Sequence, residues 1–178
     1  ALEIVEVMET LTGQAISAPL WDLTIALGGE ALVLAGLAAD ALEGEDQIEE
    51  ALQSGRAAET FGRMIAALGG PHDFVERFPD RLAAAPVVLE VRAETAGFIT
   101  AIDGEALGHA VVHLGGGRLK EGDRVNPAVG LSDLAPLGEP MAKGEAFALV
   151  HAASLADAER AVAEVRAAYR LGDAAPDE

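Results

Sequence analysis

The sequence predicts an α+β fold, with an all-helical first half followed by a smaller α+β second half. Two observations carry this expectation. Apolar residues recur at helical spacing up to about residue 82, and the period then changes after Pro86 to the alternation of a strand. A third observation concerns charge. The first 55 residues hold eleven Asp and Glu and no Lys or Arg, so the halves also differ in electrostatic character.

The elements follow in order. In ALEIVEVMETL the positions Leu2, Val5, Met8 and Leu11 share one helix face, with Glu3, Glu6 and Glu9 on others. No capping residue precedes this helix, which is therefore expected to have lost its start. Gly13 ends it, and Ser17-Ala18-Pro19 opens a second helix, since proline is tolerated in a first turn. The stretch from Trp21 to about Leu37 is apolar almost all round, which predicts a helix sandwiched between other elements. A more polar helix begins at Asp40 or Glu45 and ends near Ser54-Gly55. Another runs from Arg56 to Leu68, stopped by Gly69-Gly70-Pro71. Asp73 to Phe78 reads as a short helix and Pro79 to Pro86 as a connector.

Val87, Leu89 and Val91 alternate with Val88, Glu90 and Arg92 as a strand, and Gly97 to Ile102 forms a second. Asp103 caps a helix that runs to Leu114 and stops at Gly115-Gly116-Gly117. Short strands are expected around Ala128 to Leu131 and Phe147 to His151, separated by turns at Gly138-Glu139-Pro140 and Lys143-Gly144. Ser154 caps a last amphipathic helix, Leu155 to Leu171, and a polar tail follows from Gly172.

Composition excludes several chemistries. The 178 residues contain no cysteine, so disulfides, thiolate nucleophiles and Cys-ligated metals are ruled out. With 51% hydrophobic residues the chain can bury a core despite its formal charge of −18. That charge argues against nucleic acid and anionic membranes as partners. The longest apolar stretch, Ala31 to Ala39, falls short of a membrane span, and no secretory signal is recognisable, so the expected compartment is the cytoplasm.

Glu105, His109 and His113 stand at i, i+4 and i+8 on one helix face, the spacing at which imidazoles can converge on a metal. A packed or solvated face is the competing reading, and the HEXXH pattern is absent. The glycine run with Arg118 follows a helix C-terminus, the wrong electrostatic end for phosphate, so Gly115, Gly116, Gly117 and Arg118 are expected to serve as a helix stop or hinge. The four serines lie in no G-x-S-x-G turn, and nucleophilic catalysis finds little support.

The string AETAGFITAIDGEALGHAVVHLGGGR, Ala93 to Arg118, resembles the C-terminal domain of the thymidine and pyrimidine-nucleoside phosphorylases. Asp123, Ala128-Val129-Gly130, Leu137-Gly138, Lys143-Gly144-Glu145 and Val150-His151-Ala152 match downstream in order. Ala1-Leu2-Glu3, Leu11-Thr12-Gly13 and Ala57-Ala58-Glu59-Thr60-Phe61 match upstream, so the resemblance covers essentially the whole chain. Leu-Thr-Gly and the Gly69-Gly70-Pro71-His72-Asp73-Phe74-Val75 run are similar to the thymidine phosphorylase branch.

The resemblance implies phosphorolysis of thymidine to thymine and 2-deoxy-α-D-ribose 1-phosphate, in a cleft between a small helical domain and a large α/β domain. It places residues 1–84 in an incomplete piece of the large phosphate-binding domain. Residues 85–178 become a C-terminal domain of hammerhead or barrel-sandwich type. The family's Ser-Gly-Arg-Gly and His-Thr-Gly-Gly-Thr runs do not occur in this sequence, which implies a C-terminal part of such an enzyme, inactive alone. For the whole enzyme the resemblance implies thymidine and phosphate as substrates, a homodimer, no required cofactor, and a potassium ion held in part by the carboxylate at Glu6. An alternative from another class is a biotinyl- or lipoyl-carrier-like module, or another non-catalytic binding module; a carrier lysine stands at a hairpin tip, whereas Lys143 precedes Gly144 and lacks the second methionine of such turns.

Overall fold

A computed structural model describes residues 1–176; the last two residues of the expected tail, Asp177 and Glu178, lie outside the described residues. The chain divides into two compact units, one of Glu3–Leu82 and one of Ala1–Leu2 with the chain from Ala83 onward. The fold is α+β, and each unit has its own core.

The first unit is helical: α1 (Leu2–Thr12), α2 (Ala18–Leu34), α3 (Ala41–Gln53), α4 (Arg56–Ala67) and α5 (Phe74–Arg81). Asp40 settles the start of α3, because its carboxylate accepts the Glu43 amide at 3.0 Å. Glu43 reaches back to accept the amide of Ala39, the residue before the cap, at 2.7 Å, so the two side chains brace the helix start reciprocally. Met8, Phe74 and Phe78 are buried together, with Phe61, Ile65 and Val75 packed around them.

Two expectations need correction here. Proline 79 is not in a connector but inside α5, which continues to Arg81 across a kink at Arg77 (φ −129°). The fixed φ of proline suits the start of the helical turn beyond the kink. The second correction is larger. Helix α2 is not enclosed on all sides: it packs on α3, yet Leu23, Leu27 and Leu34 are 56, 61 and 87% exposed. Its apolar circumference reflects two faces, and the structure covers one of them.

The contact of α2 with α3 is made by glycine. A Cβ on Gly44 would lie 2.5 Å from the Gly29 carbonyl oxygen, and one on Gly29 would lie 2.8 Å from the Glu45 amide nitrogen. The two backbones therefore touch without side chains between them.

The second unit holds two three-stranded antiparallel sheets. Strands β1 (Val87–Arg92), β5 (Ala146–Ala152) and β3 (Gly130–Ser132) form one, in the order β1-β5-β3. Strands β4 (Pro140–Met141), β2 (Gly97–Ile102) and β6 (Tyr169–Gly172) form the other, in the order β4-β2-β6. Helices α6 (Gly104–His113) and α7 (Leu155–Ala168) complete it. The core joins Val91, Ile99, Phe147, Val150 and Val165 with the alanine face of α7, Ala158, Ala161 and Ala168. The expected caps form: Asp103 accepts the Ala106 amide and Ser154 the Asp157 amide. Ser154 and Arg160 also bind the Asp157 carboxylate, which holds it below the usual carboxylate range.

The last helix ends three residues earlier than its pattern suggests. Its inward positions stop at Ala168, and Tyr169 is already extended. Tyr169 to Gly172 pair with β2, whose partner on the other side spans only two residues. An aromatic followed by alternating Arg170 and Leu171 suits that half-buried edge better than a further helical turn. Pro140 likewise belongs to strand β4 rather than to a turn alone, and the β3 strand lies at Gly130–Ser132, slightly later than expected.

Candidate functional site

The residues singled out by the sequence fall in different places. Glu6 lies on α1 with its side chain exposed, while Met8 of the same helix turns into the core. One carboxylate supplies at most two of the six or more oxygens that a hard cation of this size collects, by analogy with calcium. Among the described residues, no three or more His, Asp or Glu side chains gather as a metal site. Glu6 of this chain alone therefore does not fit a potassium cage.

The Gly115–Gly117 run builds a helix stop. Gly115 takes φ +92°, and the amides of Gly115 and Gly116 donate back to Val112 and Val111 carbonyls at 2.9 Å. That is the pairing of a Schellman-type terminus, which a residue with a Cβ would strain. Beyond it, the amides of Leu119 and Lys120 both donate to Asp123 Oδ2 at 3.1 Å, and Arg118 Nε donates to the Asp123 carbonyl. Two of the loop's amides are thus taken by its own carboxylate, which also sets a negative charge where a phosphate would have to sit.

On α6, His109 and His113 stand one turn apart, with ring centroids 6.4 Å from each other. His113 Nδ1 contacts Glu164 Oε2 of α7 at 3.1 Å. Glu105 does not complete a three-residue metal group with the two imidazoles. Lys143 is exposed in the turn between β4 and β5, where Glu145 accepts the Ala142 amide and Arg92 donates to the Gly144 carbonyl.

Sequence reasoning missed one pairing. Ser132 Oγ lies 2.9 Å from His151 Nε2 and 3.1 Å from Asp133 Oδ2. The partners come from β3 and β5, and only strand register brings them together. Asp133 takes φ +51°, a conformation that aspartate tolerates better than most residues. A hydroxyl has one proton, so both contacts form when His151 donates to Ser132 and Ser132 donates to Asp133. In that orientation the imidazole is a donor and does not activate the serine as a nucleophile. The trio clasps strand ends.

His151 is half-buried, and burial lowers its pKa; the Asp133 carboxylate opposes this with a smaller upward effect. Because the folded value lies below the roughly 6.5 of an unfolded chain, the unfolded state binds more protons in the interval between the two. Stability from this group is fully present above about pH 6.5 and falls as the pH drops toward the folded value. Unfolding titrations at pH 7.5 and 5.5 are expected to show a smaller drop for His151→Gln than for the parent chain. Equal drops would remove this account.

In the helical unit, a groove of about 400 Å³ is bordered by Ala58, Glu59, Gly62, Arg63, His72 and Glu76. Its charged groups are mixed in sign and select no single ligand class.

Comparison with known proteins sets the class. Residues 98–172 match the family model for the pyrimidine nucleoside phosphorylase C-terminal domain, a span that runs from β2 through β6. The full chain narrows this further. It is 46% identical over 176 residues, 99% of its length, to the thymidine phosphorylase of Mesorhizobium japonicum. It is 46% identical over 177 residues to that of Agrobacterium fabrum, and 44% over 173 residues to that of Burkholderia cenocepacia. Along nearly its whole length the chain is similar to thymidine phosphorylases, and it spans about 40% of the length of these relatives. No helix among the described residues is long and apolar enough to cross a membrane.

Proposed function

We propose that this chain is the C-terminal part of a thymidine phosphorylase, which cleaves thymidine with phosphate, and that the chain alone does not turn over. The observation that carries the reading is the identity of 46% across 99% of the chain, set against 40% coverage of the relative. In the whole enzyme, thymidine and phosphate are the substrates, and orientation in a closed, dry cleft supplies rate. Residues 1–84 form one portion of the phosphate-binding domain, and residues from 85 onward form the C-terminal domain. The exposed leucine stripe of α2 supports the first assignment, since an apolar helix face in water is what a partly represented domain leaves uncovered. The absence of any Lys or Arg in the first 55 residues fits a segment that scaffolds phosphate binding without touching the anion. The whole enzyme acts as a homodimer in the cytoplasm.

The test is phosphate-dependent release of thymine from thymidine. The purified 178-residue chain is expected to give no rate above the protein-free background. A chimera joining this chain to the part of the Agrobacterium fabrum enzyme that it does not cover is expected to be active. Turnover by the isolated chain overturns the reading, and so does a folded chimera without activity.

A further inference from the structure

The imidazole pair on α6 is used neither by the core nor by the proposed reaction, and its spacing of one helical turn lets two imidazoles share an ion. We propose that His109 and His113 bind a borderline divalent transition ion, of the Zn²⁺, Ni²⁺ or Cu²⁺ class, with Glu164 fixing His113 in the ligating tautomer.

Three observations lead there. Residues four apart on a helix lie one above the other, and here both are imidazoles with ring centroids 6.4 Å apart and planes within 26° of parallel. Both residues are exposed, so an ion with its remaining water ligands reaches them from solvent. His109 is free to turn its ring toward a shared ion, because the final torsion of a histidine is broad.

The second observation is the tautomer. His113 Nδ1 lies 3.1 Å from Glu164 Oε2, and a carboxylate only accepts, so Nδ1 carries the proton. The lone pair is left on Nε2, the nitrogen not engaged by Glu164. A ligating histidine ordinarily donates its other ring N–H to a carboxylate, carbonyl or water, an arrangement that orients the ring and raises its basicity. Glu164 already stands in that position, on a different helix from the histidines.

The third is local charge. Glu105 lies one turn before His109 on the same face, and Glu164 lies beyond His113. The nearby cation, Arg160, is paired with Asp157 at 2.7 Å and donates to the His113 carbonyl at 3.5 Å, so its charge is offset by Asp157. The field at the pair therefore favours a cation, within a chain of formal charge −18. Neutral imidazole suits Zn²⁺, Ni²⁺ and Cu²⁺ over Mg²⁺ or Ca²⁺, which prefer oxygen ligands. Two protein ligands make an open site completed by water.

The experiment titrates ZnCl₂ or NiCl₂ into the full, untagged chain, read by calorimetry and by the imidazole resonances. One equivalent is expected to bind, shifting His109 and His113 together while His72 and His151 stay in place. His109→Ala and His113→Ala are each expected to weaken binding by more than about tenfold, and Glu164→Gln by about tenfold, at unchanged helicity. His109 is not part of the Glu164 pair, so its variant keeps the test sound if His113→Ala disturbs the helix contact. Equal shifts of all four imidazoles, or affinity unaffected by His109→Ala, would overturn the site. Affinity unaffected by Glu164→Gln would overturn the orienting role.

Discussion

Replacing Phe147 with alanine is expected to cost the second unit about 3–5 kcal/mol, the range for emptying a buried phenylalanine site. Phe147 is 2% exposed on β5, and its ring meets Tyr169 with centroids 4.7 Å apart and planes tilted by 46°. That tilted arrangement is favoured between aromatic rings beyond the area they bury. Tyr169 is itself tied at the far end, where its hydroxyl donates to the Ala135 carbonyl at 3.2 Å. Emptying the Phe147 site therefore loosens β6 and the segment before β4 as well as β5. The chain has one tyrosine and one tryptophan, Tyr169 and Trp21, which report on the two units separately. The urea transition followed at Tyr169 should move to lower denaturant, and Phe147→Leu should recover most of the loss. A shift worth less than about 1 kcal/mol for Phe147→Ala would show that the cavity collapses.

What was legible in the sequence was the local information. Asp103 and Ser154 announce helix starts because a cap is a contact between near neighbours, and both cap as expected. The alternation of Val87 to Arg92 marks β1 because one face is buried. Non-local features were hidden. Tyr169 to Leu171 fit the last helix in period, and only the open flank of β2 makes them part of a strand. The exposed side of α2 could not be told from a buried one, since the same leucines suit both. Of the candidate site, the helical spacing of His109 and His113 was visible, but Glu164, which sets the tautomer, is 51 residues away on another helix. The Ser132–His151 contact spans 19 residues and depends on the register of β3 against β5. The family resemblance was legible for a different reason: short motifs recur in order along the chain, whatever contacts they make.

Gly44→Ala carries the second large expected effect, and its sign is set by two opposing contributions. Within a helix, alanine is favoured over glycine by up to about 1 kcal/mol, because glycine gives up more backbone freedom on folding. On α3 that gain meets a backbone obstacle. The new Cβ would lie 2.5 Å from the Gly29 oxygen and 2.8 Å from its Cα, and neither atom can rotate away as a side chain would. Helices α2 and α3 must separate, at the cost typical of overpacking, about 1–3 kcal/mol. We expect a net loss of about 2 kcal/mol, seen as an earlier unfolding transition in Trp21 fluorescence, since Trp21 lies on α2. Gly108→Ala on α6 isolates the first contribution: nothing lies within 4 Å of its added Cβ, so it should be neutral or stabilising by up to about 1 kcal/mol. The same chemical change thus divides by sign according to whether a backbone stands opposite. If both variants gained stability, the two helices would not be in backbone contact, and the glycines of α2 and α3 would need another explanation.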